Sequence, residues 1–332
     1  MSLPKASFET KESLLKAWED FLPERLNQRA CRMVLGVHKK ASRLAVLGEL
    51  GRYPMLIRGL IQVLKYDWHV QHKTSGTSLV NIAYNEMLGV NDSWGLRVSK
   101  IKNLLNFPTI PGYKSEISVS EQIKSKLYGN FDTFWLSQIN QIKTGSDNQD
   151  HNKLRFYKTF KSCFKTEPYI DMVHSRNQRS NLTRVRTSAH TLEVELLRYR
   201  VPPVPYSERY CRYCTIQVPG DEIHFLNFCE TFRNKRQCFL GKLSGINKSI
   251  YDLNPTDQVK SMLCPTSHMA TKLINKYISI MFKARANIDD GDHITNLTFP
   301  PHVQNFTCPD LNESFSSVSS SSSSALSDSL SD

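Results

Sequence analysis

Cys211-Arg-Tyr-Cys214, followed by His224 and Cys229, is the stretch that decides how this chain folds. These residues form the pattern C-x2-C-x9-H-x4-C. A C-x2-C turn presents two thiolates to one side of a metal ion, and a structural Zn²⁺ site takes four sulfur or nitrogen ligands in a tetrahedron. The pattern therefore predicts a closed, structural zinc site at Cys211, Cys214, His224 and Cys229, without an open coordination position for catalysis.

The run from Asp221 to Cys229 is predicted to be a short helix that carries the second pair of ligands. His224 and Cys229 are five residues apart, which in an α-helix places them about 140° apart around the axis. The last turn of this helix must therefore loosen for both side chains to reach one ion. Four apolar side chains of the run are available to pack beneath the ion: Ile223, Phe225, Leu226 and Phe228.

The cysteines leave alternatives open. Three buried thiols and a core histidine would account for the same four residues without a metal, and Cys238 could replace Cys229 as a ligand. The spacing favours the metal site, and Cys238 is predicted to pack in a helix. The other cysteines have no Cys or His nearby and are predicted to be core or incidental thiols: Cys31, Cys163, Cys264 and Cys308.

Charge points to a polyanionic partner. The 332 residues carry a formal net charge of +12, with 43 Lys and Arg against 31 Asp and Glu. Residues 310–332 contain four of the acidic residues and no Lys or Arg, so the rest of the chain is more basic than the total indicates. Such a surface attracts nucleic acid. We therefore expect RNA or DNA as a partner; a generally basic, solvated surface is the alternative.

No segment approaches the roughly 20 apolar residues that span a membrane. Charged residues are scattered through residues 1–20, which argues against a secretory signal. Eight cysteines in a long chain without such a signal are expected to be reduced thiols. These features predict a nuclear or cytoplasmic protein without membrane association.

Helical periodicity dominates and strand patterns are scarce, so the sequence predicts a mainly α-helical fold of bundle-like segments. Gly51 is expected to end a helix over residues 41–50, Ser120 to begin a long helix, and residues 154–164 to form another. A stiff, proline-rich linker is expected over residues 201–205. The predicted divisions are helices in 1–70, a basic helical region in 71–200, the zinc module in 201–245, a helical segment in 246–288 and a largely disordered, serine-rich tail in 289–332.

A strongly cationic stretch precedes the linker. Its arginines are interleaved with Leu and Val, and they are Arg176, Arg179, Arg184, Arg186, Arg198 and Arg200. Arginine binds phosphate through a bidentate fork, so these residues, with Lys39 and Lys40 of an earlier basic turn, are predicted to contact nucleic acid. The alternative is an amphipathic pair of helices whose arginines meet Glu193, Glu195 or water.

No other residues form a catalytic pattern. His38 and His190 have no Ser, Cys or carboxylate partner at a spacing typical of nucleophilic catalysis. Asp289 and Asp290 lack flanking apolar strands and are predicted to lie in a loop. The aromatic residues next to Lys and Arg in 154–164 could stack on bases, but their helical spacing favours the core. These are Phe156, Tyr157, Phe160 and Phe164.

Two stretches resemble the C-terminal region of a LINE-type (non-LTR) retrotransposon polyprotein, downstream of its reverse transcriptase domain. One is Cys31-Arg-Met-Val-Leu-Gly-Val-His-Lys-Lys-Ala-Ser42, continuing to Val46-Leu-Gly-Glu-Leu-Gly-Arg-Tyr-Pro54. The other is Glu208-Arg-Tyr-Cys-Arg-Tyr-Cys214 with Asp221-Glu-Ile-His-Phe-Leu226 and Cys229. The Arg-rich run from Leu182 to Tyr199 is also similar. The chain departs from the family pattern after Cys229, where Glu230 replaces a common proline.

The resemblance implies thumb-proximal helices in residues 1–70 and a zinc-knuckle-like module that holds template RNA or target DNA. In that family the catalytic palm with its paired aspartates precedes this region, so no polymerase activity is expected here. We therefore expect a non-catalytic, retrotransposon-derived fragment that binds RNA or DNA and could assemble with a full-length retrotransposon protein. The alternative is a structural or protein-interaction module, or an expressed remnant with no nucleic-acid role.

Overall fold

The computed structural model describes residues 9–112, 114–143, 152–173 and 175–291. As predicted, this part of the chain is mainly α-helical. It contains no β-strand, and its strand-like pairings are two isolated antiparallel bridges, Leu50 with Thr166 and Tyr210 with Pro219. Within the same ranges, none of the helices combines the length and hydrophobicity needed to cross a bilayer.

The α-helices are α1 (Lys11–Lys16), α2 (Leu22–Leu35), α3 (Arg43–Leu50), α4 (Met55–Lys73), α5 (Leu79–Leu88), α6 (Trp94–Leu104), α7 (Glu116–Asn140), α8 (Pro168–Met172), α9 (Arg176–Arg186), α10 (Glu193–Leu196), α11 (Arg233–Ser244), α12 (Pro255–Leu263) and α13 (His268–Gly291). Short 3₁₀ turns connect several of them, and a π-helical turn spans His224–Phe228. The backbone of α13 includes Asp289 and Asp290, so the prediction that they lie in a loop is wrong. The rest of the predicted disordered tail lies outside the described residues.

Glycine and serine residues fix several helix ends. Gly36 and Gly51 follow α2 and α3 with φ of 67° and 54°, a left-handed conformation that favours glycine. Gly51 therefore ends α3 as predicted. Ser115 caps α7 by accepting a hydrogen bond from the Ser118 N–H, so this helix begins before the predicted start at Ser120.

The first of two hydrophobic clusters joins α1–α4, α6 and α7 with part of the segment 154–164, and the predicted divisions 1–70 and 71–200 both contribute to it. Helices α4 and α7 pack against each other in this cluster. Trp135 of α7 is fully buried, and its indole N–H donates to the Leu44 carbonyl at 2.9 Å. A Cβ atom at Gly48 would lie 2.5 Å from the Trp135 ring, so the close approach of α3 to α7 requires glycine there.

Residues 154–164 do not form the predicted helix, but a series of turns with one 3₁₀ turn over Tyr157–Thr159. Phe156, Tyr157 and Phe164 are buried, which confirms the prediction that these aromatic residues belong to the core. Phe156 packs in the second cluster and its neighbour Tyr157 in the first. Tertiary packing in two directions has therefore overridden the local helical pattern, which is only a weak determinant of structure.

The second hydrophobic cluster joins the cysteine-rich segment with α9, α11, α12 and α13. Tyr277 of α13 stacks on Phe239 of α11 with ring centroids 3.9 Å apart, and its hydroxyl donates to the Leu226 carbonyl at 3.0 Å. Because Leu226 lies in the π-helical turn with His224, helix α13 supports the segment that carries two of the predicted metal ligands.

Candidate metal centre and nucleic-acid interface

The four predicted ligands lie together. One ligand atom from each of Cys211, Cys214, His224 and Cys229 lies within 4.8 Å of all the others, so this cluster could hold a metal ion. Sγ of Cys211 is 3.9 Å from Sγ of Cys229, and Sγ of Cys214 is 3.4 Å from Nε2 of His224. A tetrahedron built with ordinary zinc bond lengths has edges of about 3.8 Å between sulfurs and about 3.6 Å between sulfur and nitrogen. These two contacts therefore match a tetrahedral site.

A short hairpin positions the first pair of ligands. The Cys211 N–H donates to the Val218 carbonyl at 3.1 Å, and the Gly220 N–H donates to the Arg209 carbonyl at 2.9 Å. These bonds close a loop that carries Cys211 at its base and Cys214 within it. Cys211 is 8% exposed, and Cys214 is the one ligand of the four that is only partly buried.

The second pair of ligands lies on the π-helical turn His224–Phe228. The Cys229 N–H donates to the His224 carbonyl at 2.7 Å, five residues back, and Asp221 Oδ1 accepts the His224 N–H at 2.8 Å. A π-type bond widens the turn, so residues five apart come closer to one face than in an α-helix. This confirms the prediction that the turn must loosen for both side chains to reach one ion.

The support beneath the cluster is partly as predicted. Phe225 and Leu226 are buried in the second cluster, whereas Phe228 is 47% exposed and does not pack beneath the ligands. Arg236 of α11 donates to the Cys229 carbonyl at 3.0 Å. Nδ1 of His224 is buried without a hydrogen-bond partner in the described residues. The polar contact of this ring is made by its other nitrogen, Nε2, with Sγ of Cys214.

The protein environment shifts the pKa values of the thiols. The hydrogen bond with Cys229, together with burial, raises the pKa of Cys211 to about 12. The same hydrogen bond lowers the pKa of Cys229, while burial raises that of Cys214. Because a metal binds thiolates, a divalent cation at this cluster would displace the thiol protons. The affinity of the cluster for the cation would therefore fall as the pH is lowered.

Glu222, two residues before His224, connects the metal-ligand cluster to the basic part of the chain. It is buried and accepts hydrogen bonds at 2.9 Å from Arg155, Ser188 and His190. Burial opposes its negative charge, but the charge of Arg155 and the bond from His190 outweigh this and hold the pKa of Glu222 well below its ordinary value. The prediction that His190 has no carboxylate partner is correct only for the local sequence.

Arg186 is not a surface residue. It is fully buried, and its Nε and Nη2 atoms donate to the equally buried Glu49 at 2.8 and 2.9 Å. A second carboxylate, from Glu167, lies 2.6 Å from Nη2. The prediction that Arg186 contacts nucleic acid is therefore wrong, because its charge neutralises a carboxylate that has no access to water.

The other predicted cations fall into two groups. Arg179 donates to the Val34 carbonyl at 2.6 and 3.1 Å, and Arg198 donates to Glu195 at 2.9 and 3.1 Å. For Arg198 the amphipathic alternative therefore describes the contact. The remaining predicted cations are exposed and their side chains make no hydrogen bond or ion pair within the described ranges: Arg176, Arg184, Arg200, Lys39 and Lys40.

A cleft of about 470 Å³ brings two of these exposed cations together. Lys40 follows α2 and Arg184 lies on α9, and both line the cleft. We call this feature the basic cleft; it is also lined by Lys153, His190, Glu195, Leu196, Tyr199 and Phe282. The Lys40 ammonium lies 4.8 Å from the centroid of the Tyr199 ring.

Sequence reasoning did not identify Lys153 or Tyr199 of the basic cleft as contacts. Lys153 donates to the Lys40 carbonyl at 2.8 Å and to the Tyr199 hydroxyl at 3.3 Å. Tyr199 stands between Arg198 and Arg200, and this aromatic residue within an arginine run was the available sequence signal. No local pattern distinguishes Lys153 from the other lysines of the chain.

The chain was compared with protein-family models, with curated proteins and with solved structures, and none of these comparisons gave a match.

Proposed function

We propose that this protein is a non-catalytic, zinc-stabilised fragment derived from a LINE-type retrotransposon polyprotein, and that it binds RNA or DNA. The origin is supported by the resemblance of residues 31–54 and 208–229 to the C-terminal region of such polyproteins. The helical fold and the clustered ligands are compatible with it.

The donor set favours zinc as the metal. Three cysteines and one histidine match structural Cys₃His zinc sites, whereas Mg²⁺ and Ca²⁺ prefer oxygen ligands. Four protein ligands fill a tetrahedron, so the metal has a structural role and leaves no position for a substrate. It would fasten the hairpin at Cys211 and Cys214 to the π-helical turn at His224 and Cys229.

One observation carries the proposal of nucleic-acid binding: Lys40 and Arg184, from two separate basic stretches, meet in the basic cleft. Neither has a carboxylate partner within the described ranges. Cations that the protein does not neutralise internally are available to phosphates and release counterions when they bind them.

The segment 211–229 carries the four ligands, and we call it the metal module. It supports the basic cleft through two contacts. Glu222 fixes His190, which lines the cleft, at 2.9 Å. Phe225, directly after His224, packs on Phe282 of the cleft with ring centroids 5.0 Å apart. Zinc would therefore act on binding through the fold, by keeping this wall of the cleft in place.

The experiment is a titration of the full chain with a labelled single-stranded RNA and with DNA of the same sequence, followed by fluorescence anisotropy between about 50 and 200 mM salt. We expect log Kd to rise linearly with log salt concentration, by about 0.7 for each phosphate neutralised. Cys211→Ser should weaken binding, and Cys238→Ser is the matched control, since Cys238 lies on α11 outside the ligand cluster. Absence of salt-dependent binding to both nucleic acids would refute the proposal.

The same samples test the alternative, a structural or protein-interaction module. A chain that contains zinc and melts at lower temperature in chelator, yet binds no nucleic acid at any salt concentration, would support that alternative. A polymerase assay on a primed template should show no product. Synthesis of product would contradict the non-catalytic assignment.

A further inference from the structure

The basic cleft supports a more specific statement about how nucleic acid is bound. We propose that it is a nucleotide pocket for single-stranded nucleic acid, in which Lys40 and Arg184 hold backbone phosphate and an unpaired base enters against Tyr199 and Phe282. The inference depends on the proposed function and adds the place and the mode of binding.

The size and the walls of the cleft suit a nucleotide. Its volume of about 470 Å³ lies within the range of pockets that enclose small organic ligands. Tyr199 is 50% exposed, and Leu196 and Phe282 add apolar surface to the same cleft. The faces of a nucleobase are largely apolar, and proteins usually hold unpaired bases by stacking them on aromatic side chains.

The charges of the cleft favour an anion. Glu195 is the carboxylate that lines it, and this side chain is already engaged by Arg155, Arg198 and Lys153 at 3.3, 2.9 and 3.7 Å. Glu222, behind the cleft, is engaged by Arg155 and His190. Three cations line the cleft, Lys40, Lys153 and Arg184, against Glu195 as the one carboxylate among its lining residues. The surplus positive charge is carried by Lys40 and Arg184, the two that have no carboxylate partner within the described ranges.

The position of Lys40 links phosphate binding to base stacking. Its ammonium lies over the Tyr199 ring at 4.8 Å, on an exposed side chain, while Lys153 holds the Tyr199 hydroxyl at 3.3 Å. A phosphate at the cleft would draw Lys40 from the ring into an ion pair, and the ring would stay in place because Lys153 fixes its hydroxyl. Binding of phosphate and exposure of the stacking face are therefore coupled.

A duplex would use only part of this cleft. Its bases are paired and stacked inside the helix, so it presents phosphates to Lys40 and Arg184 but no base to Tyr199. The cleft should therefore bind single strands more tightly than duplexes of the same length.

The test compares Kd values by fluorescence anisotropy at one salt concentration for a labelled single strand and its duplex. Tyr199→Ala should weaken single-strand binding about tenfold and leave duplex binding unchanged. Tyr199→Phe keeps the ring but loses the hydrogen bond from Lys153, so it should bind single strands more tightly than Tyr199→Ala and no more tightly than the wild type. Lys40→Glu with Arg184→Glu should weaken single-strand binding by about 10- to 100-fold. Lys124→Glu with Lys272→Glu makes the same change of charge at exposed positions that do not line the cleft, and should have a smaller effect.

Three results would overturn the proposal, and each has a different consequence for the proposed function. Equal weakening of single-strand and duplex binding by Tyr199→Ala would exclude stacking of a base. Equal weakening by the two charge-reversal pairs, with salt-dependent binding by the wild type, would exclude the cleft and leave the proposed function standing. No binding by the wild type would remove both. Zinc content and melting temperature, measured on every variant, distinguish lost contacts from lost fold.

Discussion

Replacing Arg186 by methionine is expected to destabilise the protein severely, although this arginine lies in a run that the sequence predicts to be a binding surface. Its guanidinium is fully buried and donates twice to Glu49, which is also fully buried. Methionine provides comparable apolar bulk but no charge. Glu49 would keep the Tyr169 hydroxyl, at 2.5 Å, as its side-chain hydrogen-bond partner within the described ranges.

The magnitude follows from the burial of both partners. Removing one member of a buried ion pair costs about 3–5 kcal/mol, because the other charge is left without solvent and without a counter-charge. Glu167 also loses Arg186, but its side chain is 16% exposed and keeps Lys161, so its contribution is smaller. We therefore expect the free energy of unfolding to fall by about 3–5 kcal/mol, a large part of the stability of a typical domain.

The effect should depend on pH. Burial opposes the charge of Glu49, but the charge and hydrogen bonds of Arg186 outweigh burial and hold the pKa of Glu49 below its ordinary value of 4.5. A carboxyl group with a lowered pKa in the folded state contributes stability above its unfolded pKa, and this is lost as pH falls through the folded value. In Arg186→Met, only the charge of Lys161 and the hydrogen bond from Tyr169 still oppose burial, so the pKa of Glu49 rises and its charged form costs stability. The difference between variant and wild type should therefore be larger at pH 7 than near pH 4.5.

Urea unfolding followed by circular dichroism at both pH values measures this difference. Arg184→Met is the matched control, because Arg184 is exposed on the same helix and its loss should change stability by no more than about 0.5 kcal/mol. Arg184→Met should instead weaken nucleic-acid binding. A loss of less than about 1 kcal/mol for Arg186→Met, or equal losses for the two variants, would refute the buried pair.

Two further substitutions test the metal module. In Gly220→Ala, the added Cβ would lie 2.5 Å from Oε2 of Glu193 and 3.2 Å from Cα of Cys211, and a buried ion pair with Arg285 holds Glu193 in place. We therefore expect this variant to bind zinc more weakly than the wild type in competition with a chelator. An unchanged zinc affinity would contradict this packing. In Glu222→Gln, the loss of a carboxylate whose pKa is lowered in the folded state should reduce the melting temperature at pH 7, and the difference from wild type should shrink as pH falls below 4.5. A difference in melting temperature that grows as the pH falls would show that the pKa of Glu222 is not lowered in the folded state.

The ligand cluster could be predicted from the sequence because its information is local. Cys211 and Cys214 lie on one turn, and His224 and Cys229 on another, so spacing alone indicates which side chains can converge. The helical repeat even indicates that the second turn must be wider than an α-helix, as the π-type bond between Cys229 and His224 confirms. The prevalence of helices follows in the same way from periodicity.

The environment of the arginines could not be predicted from local sequence. Arg186 and Glu49 are 137 residues apart, and His190 and Glu222 are 32 apart, so neither pair leaves a short-range pattern. An interleaved run of Arg and Leu is compatible with exposure or burial of each arginine. Which of them reaches solvent depends on how α9 packs against α2, α12 and α13, and this makes Arg184 exposed and Arg186 buried.

Zinc content of the purified full chain, measured by elemental analysis, tests most directly whether Cys211, Cys214, His224 and Cys229 form a metal centre that holds the fold together. We expect a single zinc ion per chain, retained in Cys238→Ser and lost in Cys211→Ser and His224→Ala, with chelator lowering the melting temperature of the wild type to that of these two variants. Zinc-free protein whose melting temperature does not change when zinc or chelator is added would contradict the metal centre and its structural role.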